Sequence, residues 1–281
     1  MNTELLTAQL HGQIWALYPP AMSWALTGIS PHGRNAASGA QRRSGRIFVM
    51  PLYGVLVSTR YWATLMPWAT PLDRWTEALR QGAASADVVV INCDSPGGMV
   101  AGTAETADVV YGLRRSGKKI LAQVNSLMAS AAYWICSACD EIAITPSGEA
   151  GSIGVFGAHT DYSRQNEMLG VKVTLISAGR YKTEGNSDEP LSDDARAAMQ
   201  GRISDYGAMF TRAVARGRGV SVDQVRNGFG QGRMLTAQAA VKAGLCDRVA
   251  TLDETLMRLG VPASALGLSA AAVSSPSEAM F

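Results

Sequence analysis

Two short stretches of this 281-residue chain hold the residue types and spacings that could do chemistry. The first is Asp94-Ser95-Pro96-Gly97-Gly98. It follows Asp87–Asn92 (DVVVIN), a continuous apolar run of the kind expected of a strand buried on both faces. A glycine pair at that point allows positive φ and close approach of a ligand, so Gly97 is a candidate substrate contact. The N–H groups of such a turn, at the carboxyl end of a strand, could hold an oxyanion. A tight turn needing only conformational freedom accounts for the same residues. The second stretch is Asn125-Ser126-Leu127-Met128-Ala129-Ser130-Ala131-Ala132-Tyr133. A serine flanked by alanines where a helix begins has an uncrowded Oγ and nearby unpaired N–H groups. Equally, Ser126 could be a helix cap and Ser130 a small residue for close packing.

Other chemistries lose ground by elimination. The three histidines are His11, His32 and His159, and two of them fall in an irregular N-terminal arm, a poor basis for a histidine-dependent hydrolase. No G-x-S-x-G elbow, HExxH helix, P-loop or G-x-G-x-x-G fingerprint occurs. Cys136 and Cys139 have a CxxC spacing but lack further ligands at matching spacing, so buried thiols are expected and no metal or cofactor. The net charge of +2 gives no reason to expect nucleic-acid binding. No apolar run reaches the ~18 residues of a membrane span, and the N-terminus lacks the pattern of a signal peptide. A soluble, cytoplasmic protein is the expectation.

The elements that must position these residues alternate between strand and helix. Arg46–Val57 reads as a strand pair or one long strand with a glycine break, Leu72–Ala83 as an amphipathic helix, and Asp87–Asn92 as a strand. A helix from about Met99 to Arg115, a strand over Lys119–Val124 and a helix over Leu127–Ala138 follow. Short strands are expected at Glu141–Ile144, Val171–Ile176 and Asp247–Ala250, with helices at Asp193–Arg216 and Thr236–Ala243. This order predicts an α/β domain of parallel crossover units over residues 45–260. Residues 1–44 read as an irregular arm, with a linker over Ser30–Ser44, and residues 261–281 as a flexible tail rich in Ala, Ser and Pro.

Taken together, the motifs resemble the signal peptide peptidase A family of serine–lysine peptidases, in particular its short phage branch. The matching segments run in order: Asp94 to Gly102, Ala129-Ser130-Ala131-Ala132, Gly151-Ser152-Ile153-Gly154-Val155, Ser177-Ala178-Gly179-Arg180-Tyr181-Lys182 with Gly185-Asn186, Thr236 to Ala240, and Ala243-Gly244-Leu245. The resemblance implies a Clp-peptidase/crotonase-like fold of repeated ββα units with a parallel sheet and a second sheet, usually oligomeric. It implies Ser130 as nucleophile, Lys182 as general base and Ser152 as a hydrogen-bond partner of the lysine. It also implies an oxyanion hole at Gly98 and Ala131. Two alanines follow the serine where family members often have glycines, and no N-terminal membrane anchor is seen.

A lysine serves as base only when neutral. The ordinary side chain has a pKa of ~10.4, and desolvation can lower such a value by ~3–5 units. The resemblance thus implies that Lys182 sits near the core, with the carboxylates of Glu184, Asp188 and Glu189 turned away. The function implied is a phage or prophage head maturation protease that cleaves scaffold, portal or itself as a homo-oligomer, in the host cytoplasm or inside the procapsid. The alternatives are a cytoplasmic peptidase of signal-peptide or oligopeptide remnants, a crotonase-like acyl-CoA enzyme, and an inactive scaffold protein on the same fold.

Overall fold

The computed structural model describes residues 13–22, 41–261 and 265. Its organising feature is a set of parallel strands whose carboxyl ends turn out into a second, smaller sheet. The chain forms β1 (Trp15–Leu17), β2 (Arg42–Ser44), β3 (Ile47–Tyr53) and β4 (Leu56–Val57). Next come α1 (Arg60–Leu65), β5 (Thr70–Pro71), α2 (Leu72–Ala84), β6 (Val88–Ser95), β7 (Gly97–Met99) and α3 (Thr103–Arg115). Then follow β8 (Lys119–Ala129), α4 (Ala131–Cys136), β9 (Glu141–Ile144), β10 (Glu149–Gly151) and α5 (Ser163–Met168). The last elements are α6 (Asp193–Arg218), α7 (Val222–Gly228), β11 (Met234–Thr236), α8 (Ala237–Ala243), β12 (Arg248–Val249) and α9 (Leu252–Arg258).

The main sheet runs β11-β10-β8-β6-β3-β2, and β9 pairs with the first half of β8 and with β12. Strands β3, β6 and β8 are parallel and in register, with Ile47 beside Val88 and Val88 beside Lys119. The small sheet has the order β1-β7-β4-β5. A strand of the main sheet, a short strand of the small sheet and then a helix occur twice, as β3-β4-α2, with α1 and β5 inserted before the helix, and as β6-β7-α3. The result is a repeated ββα architecture, with a parallel main sheet and a second, smaller sheet.

The sequence accounts for these elements locally. Val88 to Ile91 are branched residues, three of them fully buried, as a strand covered on both faces requires. The helix face of the sheet packs Phe48, Leu52, Leu79, Val89 and Ile91 into the main core, while Val49 and Val90 meet Leu256 of α9 on the other face. Long helix α6 opens on Ser192, whose side chain accepts from the Ala195 amide, and closes on Gly219 in the left-handed region. The Trp134 ring of α4 stacks on Phe210 of α6 with centroids 4.5 Å apart, a contact worth about 0.5–1.5 kcal/mol beyond its buried area. That contact holds α6 against the short helix that begins after Ser130.

Four expectations change. Residues 15–17, expected to be irregular, form β1: Trp15, Ala16 and Leu17 are buried because β7 offers an open edge and an apolar floor. Arg42–Ser44 of the expected linker form edge strand β2. Val171–Ile176 does not form a strand; every residue there is exposed, since no neighbouring edge is presented to it. The helix expected from Leu127 starts at Ala131, because residues 127–129 continue β8 alongside β10. His11, His32, most of the Ser30–Ser44 segment and nearly all of residues 261–281 lie outside the described residues. Among the described residues, no helix is long and apolar enough to cross a membrane.

Candidate active site

Ser130 stands at the junction of β8 and α4, at the carboxyl ends of the parallel strands. Its backbone has φ 54° and ψ −115°, outside the regions open to ordinary L-residues. Such a conformation costs on the order of 1–3 kcal/mol and persists only where its surroundings over-determine it. Here they do. The Ser130 amide donates to the Gly151 carbonyl at 2.8 Å, and its carbonyl accepts from the Trp134 amide at 2.8 Å. The side chain points toward the segment after β10, where Oγ donates to the Gly154 carbonyl at 3.3 Å.

Ser152 shares the unusual conformation, with φ 54°. Its amide donates to the Arg233 carbonyl at 2.9 Å, which fixes it at the edge of the sheet directly after β10. Both serines are buried. The structure thus brings Ser130 and Ser152 to one end of the β8–β10 pair, on residues 127–129 and 149–151 running in parallel register. Their hydroxyls do not hydrogen-bond each other.

The glycine turn is placed beside them. Ser95 Oγ donates to the Gly54 carbonyl at 2.7 Å and accepts from the Gly97 amide at 3.1 Å, so the turn is pinned from within. Behind it Asp94 accepts from Ser126 Oγ at 2.5 Å, which ties β6 to β8 just before the nucleophile candidate. Gly97 has φ 91°, and a Cβ built on it would lie 2.9 Å from both the Ala129 carbonyl oxygen and the Ala131 nitrogen. The space in front of the Ala131 N–H exists because residue 97 has no side chain. A Cβ on Gly98 would sit 1.9 Å from the Leu56 carbonyl oxygen, so only glycine lets β7 pair with β4 there. Gly97 thus sits against the Ala129–Ala131 backbone that carries Ser130, with Gly98 next to it in β7.

Lys182 does not join them. It lies in an exposed turn after Gly179, and among the described residues its ammonium meets no hydrogen-bond or ion-pair partner. The expectation that it sits near the core is corrected for this single chain: Val171–Ile176, the segment that would carry it inward, finds no strand to pair with. Asn186 and Asn166 engage the carboxylates of Glu189 and Asp188 respectively, so these two are turned to amides rather than to Lys182. His159 places Nε2 2.8 Å from the Asn186 carbonyl and does not approach Ser130.

The four cysteines are free and buried, with no disulfide between Cys136 and Cys139. Burial pushes the Cys139 thiol well above its ordinary value and Cys246 up to about 12. They are core residues, as the residue pattern suggested. Two participants were missed from sequence. The Gly154 carbonyl was within a quoted motif but carries no side-chain signal, and the Arg233 carbonyl that holds Ser152 lies in no motif at all.

The chain is 34% identical over 212 residues to the head-tail preconnector protein GP5 of Enterobacteria phage P21, covering 75% of this chain and 42% of that protein. It is 32% identical over 265 residues to the capsid assembly protease C of Escherichia phage lambda, covering 92% of this chain and 58% of that protein. The chain therefore spans about half the length of these relatives. Among solved structures, a membrane-bound stomatin-specific protease aligns with a TM-score of 0.45 at 16% identity, over 77% of this chain and 85% of that one. ClpP1 from Listeria monocytogenes aligns with a TM-score of 0.46 at 13% identity, over 73% and 92%. The profile of peptidase family S49 matches residues 112–265, more than half of the chain and a span that includes Ser130, Ser152 and Lys182, and the chain belongs to that family.

Proposed function

We propose that this chain is a serine endopeptidase with a serine–lysine dyad that acts on the proteins of a phage or prophage head during its assembly. Ser130 is the nucleophile and Lys182 the general base. Ser152 orients the lysine, the N–H groups of Gly98 and Ala131 hold the oxyanion, and Gly97 gives the substrate backbone room to approach. The observation that carries the reading is the strained Ser130, held by Gly151 and Trp134 beside Gly97, whose lack of a side chain lets extended backbone come up against the Ala131 N–H. Strain of this kind concentrates at sites where a side chain must be presented in one direction. Membership of family S49 and the two phage relatives support the reaction type and the setting.

In the reaction, neutral lysine takes the Ser130 proton as Oγ attacks a peptide carbonyl, then gives it to the leaving amine; water releases the acyl group. Loss of one oxyanion donor from such a site costs ~10²–10³ in rate. Lys182 has to move to Ser130 for this to occur. Val171, Val173 and Leu175 are apolar, alternate with period two, and are each 43–51% exposed. A segment with that pattern is suited to strand pairing against a second copy, which supports a homo-oligomer in which residues 171–182 become ordered against the site. Co-expression with the head proteins of the same phage, followed by intact mass of every chain, tests the proposal. Wild type should shorten scaffold, portal or capsid protein, and Ser130→Ala should leave all of them at full length. Equal processing by both proteins would refute it.

A further inference from the structure

The cleft beside Ser130 is already filled, and its occupant is this chain's own N-terminal strand. Strand β1 runs antiparallel to β7, pairing Trp15 with Met99, Ala16 with Gly98 and Leu17 with Gly97. The flanking bonds fix which groups point inward. The Tyr18 amide donates to the Pro96 carbonyl at 2.8 Å, and the Val100 amide donates to the Ile14 carbonyl at 3.2 Å. Hydrogen-bonded pairs alternate along an antiparallel ladder, so Ala16 and Gly98 exchange both of their N–H···O bonds. On its other edge, the Trp15 amide and carbonyl bond the carbonyl and amide of Phe156, each at 2.9 Å. The strand is therefore gripped from both sides, as an extended peptide is when it adds to sheet edges.

The Ala16 carbonyl lies beside the two proposed oxyanion donors. It accepts from the Gly98 N–H, one of the two proposed oxyanion donors. The point where a Cβ on Gly97 would stand lies 2.3 Å from the Ala16 oxygen and 2.9 Å from the Ala131 nitrogen, the second donor. Ser130 lies between Ala129 and Ala131, both of which line that point. Ala16 is fully buried, so residue 16 has no room for a larger side chain.

We infer that the Ala16–Leu17 peptide bond is a self-processing site, presented to Ser130 as the first substrate of the cleft. The inference rests on the peptidase reading above. Ser130 Oγ bonds to the Ala16 carbonyl carbon while its proton passes to the base. The Ala16–Leu17 C–N bond breaks, and that proton goes to the new Leu17 amine. Water then hydrolyses the ester, leaving a carboxylate on Ala16 and restoring the Ser130 hydroxyl. The structure describes the chain before this step, with the strand in place and Lys182 still distant.

The test is a time course of intact mass on the purified full chain, for wild type, Ser130→Ala and Ala16→Phe, alongside turnover of an added protein substrate. Wild type should lose residues 1–16 and expose Leu17 as its new N-terminus. Ser130→Ala should remain at full length, and Ala16→Phe should be cut at this bond at least tenfold more slowly. The inference is overturned if wild type degrades the added substrate in a Ser130-dependent manner yet keeps its own N-terminus or is cut at another bond. If neither the chain nor the added substrate is cleaved in a Ser130-dependent manner, the peptidase reading fails, and this inference with it.

Discussion

The amide of Ser130 donates to the carbonyl of Gly151 at 2.8 Å, one residue before Ser152. This bond links the end of β8 to the end of β10 and sets two serines, both with φ 54°, at one rim of the sheet. The position of the nucleophile candidate is thus fixed by backbone bonds rather than by its own side chain.

It follows that substitutions at residue 130 separate catalysis from stability. Ser130→Ala keeps a Cβ and therefore the strain, whereas Ser130→Gly removes it at a cost in unfolded-state entropy. We expect Ser130→Gly to be more stable than Ser130→Ala by about 1 kcal/mol, with both inactive. Urea midpoints at constant slope measure the difference. A Gly variant less stable than the Ala variant would show that the conformation at residue 130 is not strained.

The glycines of the chain should sort by what faces them. Gly98→Ala drives a Cβ into the Leu56 carbonyl and should destabilise by about 3 kcal/mol or more while abolishing turnover. Gly112 lies inside α3 with nothing within 4 Å of a built Cβ, so Gly112→Ala should stabilise by about 0.5–1 kcal/mol with turnover unchanged. Thermal melts and a turnover assay on the same samples check both.

Much of this was legible in the sequence. Val88–Ile91 and Glu141–Ile144 read as strands because buried parallel strands are continuous apolar runs, and α6 read as a helix through its length and formers. Ser130, Ser152, Gly97, Gly98 and Ala131 were reachable through ordered motifs. The short strands of the small sheet were not legible, since β4, β5 and β7 hold two or three residues each and show no period. β1 was hidden for a similar reason: three residues become a strand only because β7 and Phe156 offer edges on both sides. Val171–Ile176 failed in the opposite sense, having the pattern of a strand but no partner in one chain.

Acid should act through Glu141. Burial raises the pKa of its carboxyl, but hydrogen bonds from Arg258 and Arg248, the latter at 2.6 Å, outweigh this and hold it below the ordinary 4.5. A depressed carboxyl contributes stability that is present above its unfolded pKa and is lost as pH falls through the folded value. Stability should therefore decline below about pH 4.5, and Glu141→Gln should flatten that part of the profile. Denaturation midpoints from pH 6 to pH 3 for both proteins give the comparison, and parallel profiles would exclude the clamp as a cause.

The thiols should be silent in the native protein. A hydrogen bond with Cys93, and then burial, raises Cys136; burial raises Cys139 and Cys246, the last to about 12, and the thiolate is the reactive form. With iodoacetamide at pH 8, these three should stay unmodified for hours in buffer and react within minutes in denaturant, as read by peptide mass. Rapid native alkylation of Cys139 would show that α4 opens.

The central claim is that Ser130 attacks peptide bonds. Its most direct measurement is turnover of a protein substrate by wild type, Ser130→Ala and Lys182→Ala, each shown to be folded by its melting transition. The account predicts that either substitution lowers kcat by at least about ten-thousandfold, with the double variant no worse than the singles, because residues acting as one unit are not additive. Ser130→Ala protein that cleaves at the wild-type rate would contradict it.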